Sequence, residues 1–254
     1  MNKKTILPKQ QSLPHRQKIV VFTGAGISKE SGMETFRDLD GLWKRYDPAQ
    51  IATPEGFAAD TEFVLNFYNE MRKMLIDIEP NHAHKIVAAL EEWHDVTVIT
   101  QNIDDLHERA GSSHVIHVHG ELTKVTSSYD YLNPRYIQPY PLDKAIKVGD
   151  KALDGSQLRP YIVWFGESLP DLGACVQRMQ QADYLLIIGT SLTVMPAAGL
   201  INYAPFNIPK FCIDPNKLML PSNIEHIKEP ATRGIDIFIK RLQGLSRKSM
   251  GISI

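Results

Sequence analysis

Apolar residues along this chain follow two rhythms. Short, nearly continuous runs appear in KIVVFT (18–23), VTVIT (96–100), YLLIIGTSL (184–192) and PKFCIDPN (209–216). They are rich in β-branched residues and break off at glycine or polar residues, as strands buried on both faces do. Between them, apolar residues recur at helical spacing. In TPEGFAADTEFVLNFYNEMRKML (53–75), Phe63, Phe67 and Met71 share one face, with Val64, Tyr68 and Leu75 beside it. Asn81 to Trp93 repeats the pattern after Pro80, with Asn81 as its N-cap. Further helices are expected after Ser28, near 171–181 and near 234–243. HVIHVHG (114–120) and YIVWFGE (161–167) read as additional strands.

Strand alternating with helix predicts an α/β fold: a Rossmann-like parallel sheet with helices on both faces. Residues 1–17 read as a polar tail and 246–254 as a loose end. Residues 18–245 read as one folded unit, with a helical insertion at about 44–78. The stretch 121–158 is rich in Tyr, Pro, Asp and Lys and weakly periodic. It reads as a small inserted module.

Composition narrows the class. With 254 residues, 43% hydrophobic, 22% charged and a net charge of -1, the chain has an ordinary globular make-up. Nothing in that balance draws it to nucleic acid or to an anionic membrane. Its two cysteines, Cys175 and Cys212, read as buried free thiols, which suits a reducing, cytoplasmic setting. No apolar run approaches the roughly 20 residues a membrane span needs, and MNKKTILPKQQSLPHRQK lacks the apolar core of a signal peptide. Oligomeric state is not encoded legibly, and a monomer is the simplest expectation.

Right-handed crossovers place the ends of parallel strands on one edge. Four such ends are polar: TGAGIS, TQNIDD, IGTSL and IDPN. In open α/β sheets that edge binds ligands. Gly24 and Gly26, with Ala25 between them, suit close approach of backbone to a phosphate, and a following helix N-terminus would aim amides at it. The dinucleotide fingerprint would place a third glycine where Lys29 stands. The acid expected about 20 residues on is Asp38 or Asp40, and neither follows a strand. Gly189, Thr190 and Ser191 repeat the loop chemistry, and Asn216 is a better candidate for contact with ribose or adenine. Gln101, Asn102 and Asp104, flanking Ile103, combine amide and carboxylate groups that match a carboxamide; the alternative is a helix cap.

His114, His117 and His119 fall in one predicted strand, with His117 and His119 on the same face. No third or fourth ligand has metal spacing. His114 and His117 read as structural. His119, beside Gly120 at the ligand edge, is the candidate general base.

These motifs resemble the sirtuin family, NAD-dependent protein-lysine deacylases. GAGIS with SGMETFRDLDGLW looks like the family's cofactor loop, TQNIDDLHERAG its nicotinamide and ribose loop, and HVHG its catalytic histidine motif. YIVWFGE looks like its substrate strand and GTSL its second phosphate and ribose loop. The resemblance spans residues 18 to 240. It implies a Rossmann-type fold binding NAD as co-substrate, with Ala25, Gly26, Phe36 and Arg37 lining the cofactor pocket. Phe36 would shield the ribose after nicotinamide leaves. Gln101, Asn102, Ile103 and Asp104 would hold nicotinamide and its ribose, Asn102 also serving catalysis. Gly24, Gly189, Thr190, Ser191, Asn216 and Ala231 would hold the rest of the dinucleotide. The implied chemistry is attack of the acyl-lysine oxygen on the ribose. His119 then acts as base on a ribose hydroxyl, which gives free lysine, nicotinamide and O-acyl-ADP-ribose. Acyl-lysine proteins or peptides would add as a strand beside Val163, Trp164, Phe165 and Gly166.

Two departures stand out. Most sirtuins hold a structural zinc in two Cys-x-x-Cys pairs; the matching positions here are Ser127, Asp130, Lys151 and Asp154. No zinc is expected, because this set suits that ion poorly; packing of Tyr129, Tyr131, Tyr136 and Tyr140 is expected instead. DGLW and TPEGF look like the bacterial, desuccinylase-like branch, whose members carry Tyr-x-x-Arg. Here Tyr68 is matched, but Met71 stands at the arginine position, and Arg72 is displaced by about 100° around a helix. A neutral acyl group, acetyl above all, is the expected substrate, with Arg72 able to serve an acidic chain only if the helix distorts. The competing readings are lysine desuccinylation or demalonylation, mono-ADP-ribosyl transfer, and non-catalytic NAD or ADP-ribose binding.

Overall fold

In the computed structural model, residues 16–33 and 45–249 are described, the side chains of 246–249 excepted. The expected buried runs form the centre of a six-stranded sheet: β1 (Lys18–Thr23), β2 (Asp95–Thr100), β3 (Val115–His117), β7 (Tyr184–Ile188), β8 (Lys210–Ile213) and β9 (Glu225–Ile227). Their spatial order is β3-β2-β1-β7-β8-β9, and every neighbouring pair is parallel. Strand order therefore reverses between β1 and β7, which opens a crevice at their C-terminal ends.

The side chains of β1 alternate between two cores. Ile19 and Val21 pack with Val87 of one helix (His82–Ala89) and with Ile235 and Phe238 of the last helix (Ala231–Ser249). Val20 and Phe22 face the opposite layer, with Cys175 and Met179 of the helix Leu172–Gln180. Period-two alternation with apolar residues on both faces is what helices on both sides of a sheet require.

The helical insertion differs from its expected outline. Residues 53–75 form two helices, Pro54–Ala59 and Thr61–Ile76, because Asp60 leaves helical geometry and its carboxylate accepts from the Phe63 amide at 2.9 Å. The last helix is longer than expected, running Ala231–Ser249, and the His114–Gly120 stretch is split: Val115–His117 is a main-sheet strand and Gly120 opens a strand of the small sheet. YIVWFGE is not a main-sheet strand. Its N-terminal part belongs to β6 (Leu158–Ile162), which pairs antiparallel with β4 (Gly120–Ser127); β4 also pairs with the short β5 (Gln138–Pro139). This small sheet and the helical insertion share a core in which Phe57, Leu65 and Tyr68 meet Leu122, Ile162 and Trp164.

Candidate active site

All four polar strand ends open onto one cavity of about 1150 Å³. Gly24 and Gly26 follow β1, Gln101 and Asn102 follow β2, Thr190 and Ser191 follow β7, and Asn216 follows β8. The last helix contributes Ala231, and the small lobe contributes Tyr68, Val163, Trp164, Phe165 and Gly166.

The glycines serve the junction between the two loops. The Gly26 amide donates to the Gly189 carbonyl at 2.8 Å, and that of Gly24 to the Ile188 carbonyl at 3.0 Å. A Cβ on Gly26 would lie 2.6 Å from the Gly189 Cα, and one on Gly24 would lie 2.7 Å from the Thr190 Cβ. The space that sequence assigns to an approaching phosphate is thus shared with the loop after β7.

A buried polar network lies beneath the pocket. Ser28 donates to Asp104 Oδ2 at 2.9 Å and accepts from Asn102 Nδ2 at 3.1 Å. The Leu106 amide takes Asp104 Oδ1 at 3.1 Å. Asp104 is only 4% exposed and sits behind Ser28 rather than on the pocket wall. Burial raises its pKa against the lowering effect of these hydrogen bonds. Asn102, by contrast, reaches the wall, fixed by this network and by its own amide on Thr100 Oγ1 at 3.0 Å. Gln101 Nε2 donates to Thr190 Oγ1 at 2.9 Å, joining the second loop to the third.

His117 and His119 share a strategy and differ in outcome. The His119 Nδ1 lies 3.0 Å from the Gln101 carbonyl, and the His117 Nδ1 lies 3.0 Å from the Asn102 carbonyl. A carbonyl can only accept, so each Nδ1 carries a proton. At His117 the second nitrogen is also taken, by Glu108 Oε1 at 2.8 Å. Burial would lower the His117 pKa, but Glu108 outweighs it and the pKa is raised. At His119, which lines the cavity, burial dominates over the Gln101 bond and lowers the pKa. Its Nε2 is therefore an unprotonated base at neutral pH.

Two further histidines, which sequence inspection passed over, lie behind the loops. His84 and His107 are buried with ring centroids 4.9 Å apart. His107 Nε2 lies 3.1 Å from Thr23 Oγ1, which donates to Thr100 Oγ1 at 2.8 Å. Burial pushes the His84 pKa down to about 4 and holds that of His107 well below its ordinary value.

Arg72 corrects an expectation. It is fully buried, and its guanidinium donates to the carbonyl oxygens of Leu122 at 2.7 Å, Tyr140 at 3.3 Å, Lys144 at 3.4 Å, and Pro141. It lies outside the cavity wall and ties the helix Thr61–Ile76 to the small sheet. The 100° displacement relative to Met71 points it into protein. Met71 itself is buried in the small-lobe core. The wall nearest Tyr68 is formed by Ala52, Ile162 and Trp164, and the Tyr68 hydroxyl accepts from Trp164 Nε1 at 3.0 Å. Phe36 and Arg37, with Asp38 and Asp40, lie outside the described residues.

Where the zinc-bearing pairs would stand, a hydrogen-bonded knot is found. Buried Ser127 donates to Asp154 Oδ2 at 2.5 Å and accepts from the amides of Tyr129 and Asp130 at 2.9 Å each. Ser156 donates to Asp154 Oδ1 at 2.7 Å. Asp130 and Lys151 turn to other contacts, with Asn133 and Gln157. A serine, two aspartates and a lysine are a poor donor set for zinc. Among the described residues, no group of three or more His, Cys, Asp or Glu side chains gathers as a metal site.

Comparison with known proteins adds to this geometry. The profile described as Sir2 family matches residues 24–196. An NAD-dependent protein deacylase of Bacteroides thetaiotaomicron is 51% identical over 221 residues, covering 86% of this chain and 94% of the relative. One of Helicobacter pylori is 46% identical, covering 88% of this chain and 96% of its own. A Sir2 homologue crystallised with NAD superposes with a TM-score of 0.76 at 35% identity, covering 91% of each chain. A Sir2 variant bound to a deacetylated p53 peptide and 3′-O-acetyl-ADP-ribose superposes with a TM-score of 0.71 at 27% identity, covering 94% of this chain and 96% of that one.

Proposed function

The chain belongs to the Sir2 family of NAD-dependent protein deacylases, and on that premise we propose that it removes neutral acyl groups, acetyl foremost, from lysine side chains. The observation that carries the proposal is His119: a neutral imidazole in the cavity with Nδ1–H fixed on Gln101, leaving Nε2 to take a proton.

The donor set fits a dinucleotide. The Thr190 and Ser191 hydroxyls suit its phosphates, the Gly24 and Gly26 amides being held by the loop after β7, and Asn216 suits a ribose or the adenine. Asn102, held by Ser28 and Asp104, suits nicotinamide and its ribose. When bound, NAD supplies a glycosidic bond to an already cationic leaving group and a ribose that receives the acyl group. The protein orients the acyl-lysine, keeps water out with the apolar wall, and moves one proton through His119 Nε2. Phe36 and Arg37 remain proposed cofactor contacts.

The acyl-lysine peptide is proposed to lie along Val163–Gly166. The amides of Val163, Trp164 and Phe165 are already bonded to the His119 carbonyl, the Glu167 carboxylate and the Ala52 carbonyl. Among the described residues, the Val163 carbonyl and the amide and carbonyl of Gly166 can meet a peptide strand. Neutral acyl preference is supported by the wall of Ala52, Tyr68, Ile162 and Trp164 and by the commitment of Arg72 to four carbonyls.

The small module is proposed to hold together without zinc, through the Ser127–Asp154 knot and Arg72. The site residues named all come from one chain, so a monomer suffices. Among the described residues no helix is long and apolar enough to cross a membrane. Two buried free thiols, with pKa values pushed up to about 12 by burial, suit the cytoplasm as the proposed setting.

The test is mass spectrometry on acetyl-, longer neutral acyl- and succinyl-lysine peptides with NAD, using wild type and His119→Ala. Turnover of the neutral peptides, lost in the variant, is expected. Preferential succinyl turnover would overturn the neutral-acyl proposal.

A further inference from the structure

We propose that Tyr131 is a positioning residue for the acyl-peptide site, held in place by the hydrogen-bonded knot at Ser127. The inference rests on the placement of the peptide along residues 163–166. Tyr131 is not part of the cavity wall. Its hydroxyl accepts from the Ser168 amide at 2.7 Å and donates to the Ser168 carbonyl at 3.0 Å. One side chain therefore grips both main-chain polar groups of the residue two beyond Gly166.

The grip reaches the cavity through a buried ion pair. Glu167 makes two hydrogen bonds with Arg159, at 2.7 and 2.9 Å, and accepts the Trp164 amide at 2.8 Å. The Arg159 guanidinium carbon lies 3.5 Å from the Trp164 ring centroid on one side and 5.2 Å from that of Tyr131. Trp164 in turn donates to Tyr68. Arg159 and Glu167, the latter itself part of the cavity wall, thus link the module to that wall.

The other end of Tyr131 is anchored in the module. Its carbonyl accepts from Thr126 Oγ1 at 3.0 Å. The two preceding amides, of Tyr129 and Asp130, are the pair that Ser127 Oγ accepts. Ser127 and Asp154 therefore set where the Tyr131 backbone begins, and Tyr131 sets where the 163–168 turn ends. The module, remote from the reacting atoms, aligns the peptide through this contact.

Tyr131→Phe tests the inference. It keeps the ring over Arg159 and deletes only the two bonds to Ser168. The KM for an acetyl-lysine peptide should rise about fivefold to tenfold, with kcat, the KM for NAD and Tm at wild-type values. Hydrogen exchange at the Ser168 amide should quicken by a similar factor, a readout that needs no catalysis. Unaltered Ser168 exchange would overturn the grip. Faster exchange with an unaltered peptide KM would overturn the positioning role, as would parallel losses in kcat, NAD affinity and Tm. If wild type turned over no acyl peptide while exchange still quickened in the variant, the functional reading would fail and the grip would stand.

Discussion

The ligand edge of the main sheet and the small module on the other lobe solve different problems. At the edge, backbone carbonyls orient two histidines, glycines let two loops touch, and polar groups remain for a ligand. In the module and the small-lobe segments packed on it, polar groups bind one another: Ser127 with Asp154 and two amides, Arg72 with four carbonyls, Arg159 with Glu167. The contrast appears within one short stretch. His117 has both nitrogens bound and is structural; His119, two residues on, has one nitrogen bound and the other for chemistry. Reactivity here is marked by a ring nitrogen that faces the cavity, and rigidity by polar side chains bound mostly to one another, with only the Nε atoms of Arg72 and Arg159 buried without a partner in these groups.

The largest break in that comparison is His119→Ala. It should lower kcat about 10²- to 10⁴-fold in a steady-state deacylation assay while leaving Tm unchanged. Arg72→Met should do the reverse. Removing a buried donor to several carbonyls should cost on the order of 3 kcal/mol in denaturant unfolding, with the ratio of acetyl to succinyl turnover unaltered.

Acid separates the two regions next. The folded pKa of His84 is about 4, and its unfolded value is about 6.5. Between those values the unfolded chain binds a proton that the folded chain excludes. Its contribution is full above about pH 6.5 and is lost as pH falls toward 4. Unfolding free energy should drop by about 2 kcal/mol from pH 7 to pH 5 on this account. His84→Phe should remove that share of the slope in denaturant titrations and leave the share due to His107, whose pKa burial also lowers. The smallest break is Ser127→Ala, which orphans two amides and should cost about 1–2 kcal/mol. Prolonged chelation of the wild-type protein should leave Tm and turnover unchanged.

The sheet and its ligand edge were legible because buried strands and glycine-polar strand ends leave local patterns. KIVVFT and YLLII needed no tertiary context to be read. Of the site residues named from sequence, those of all four loops and of the substrate strand line the cavity, with Asp104 beneath it. Illegible features depend on distant partners. Nothing near Arg72 in the chain announces carbonyls at 122 and 140–144. Asp60 ended a helix whose apolar spacing ran through it. His84 and His107 lie 23 positions apart and meet only because the helix His82–Ala89 packs against the short helix Leu106–Arg109. Ser127 could be read as a missing cysteine, but its pairing with Asp154 required the fold. That YIVWFGE is a strand was legible, but which sheet it joins was not, because a buried antiparallel strand has the same apolar look as a parallel one.

One measurement tests the central claim most directly: the amounts of nicotinamide and deacylated peptide formed by the wild-type enzyme from NAD and an acetyl-lysine peptide, counted together by mass spectrometry. The account predicts that they rise in a one-to-one ratio. Nicotinamide released without matching loss of acetyl from lysine would contradict it, and would assign the edge and its histidine to a different ADP-ribose acceptor.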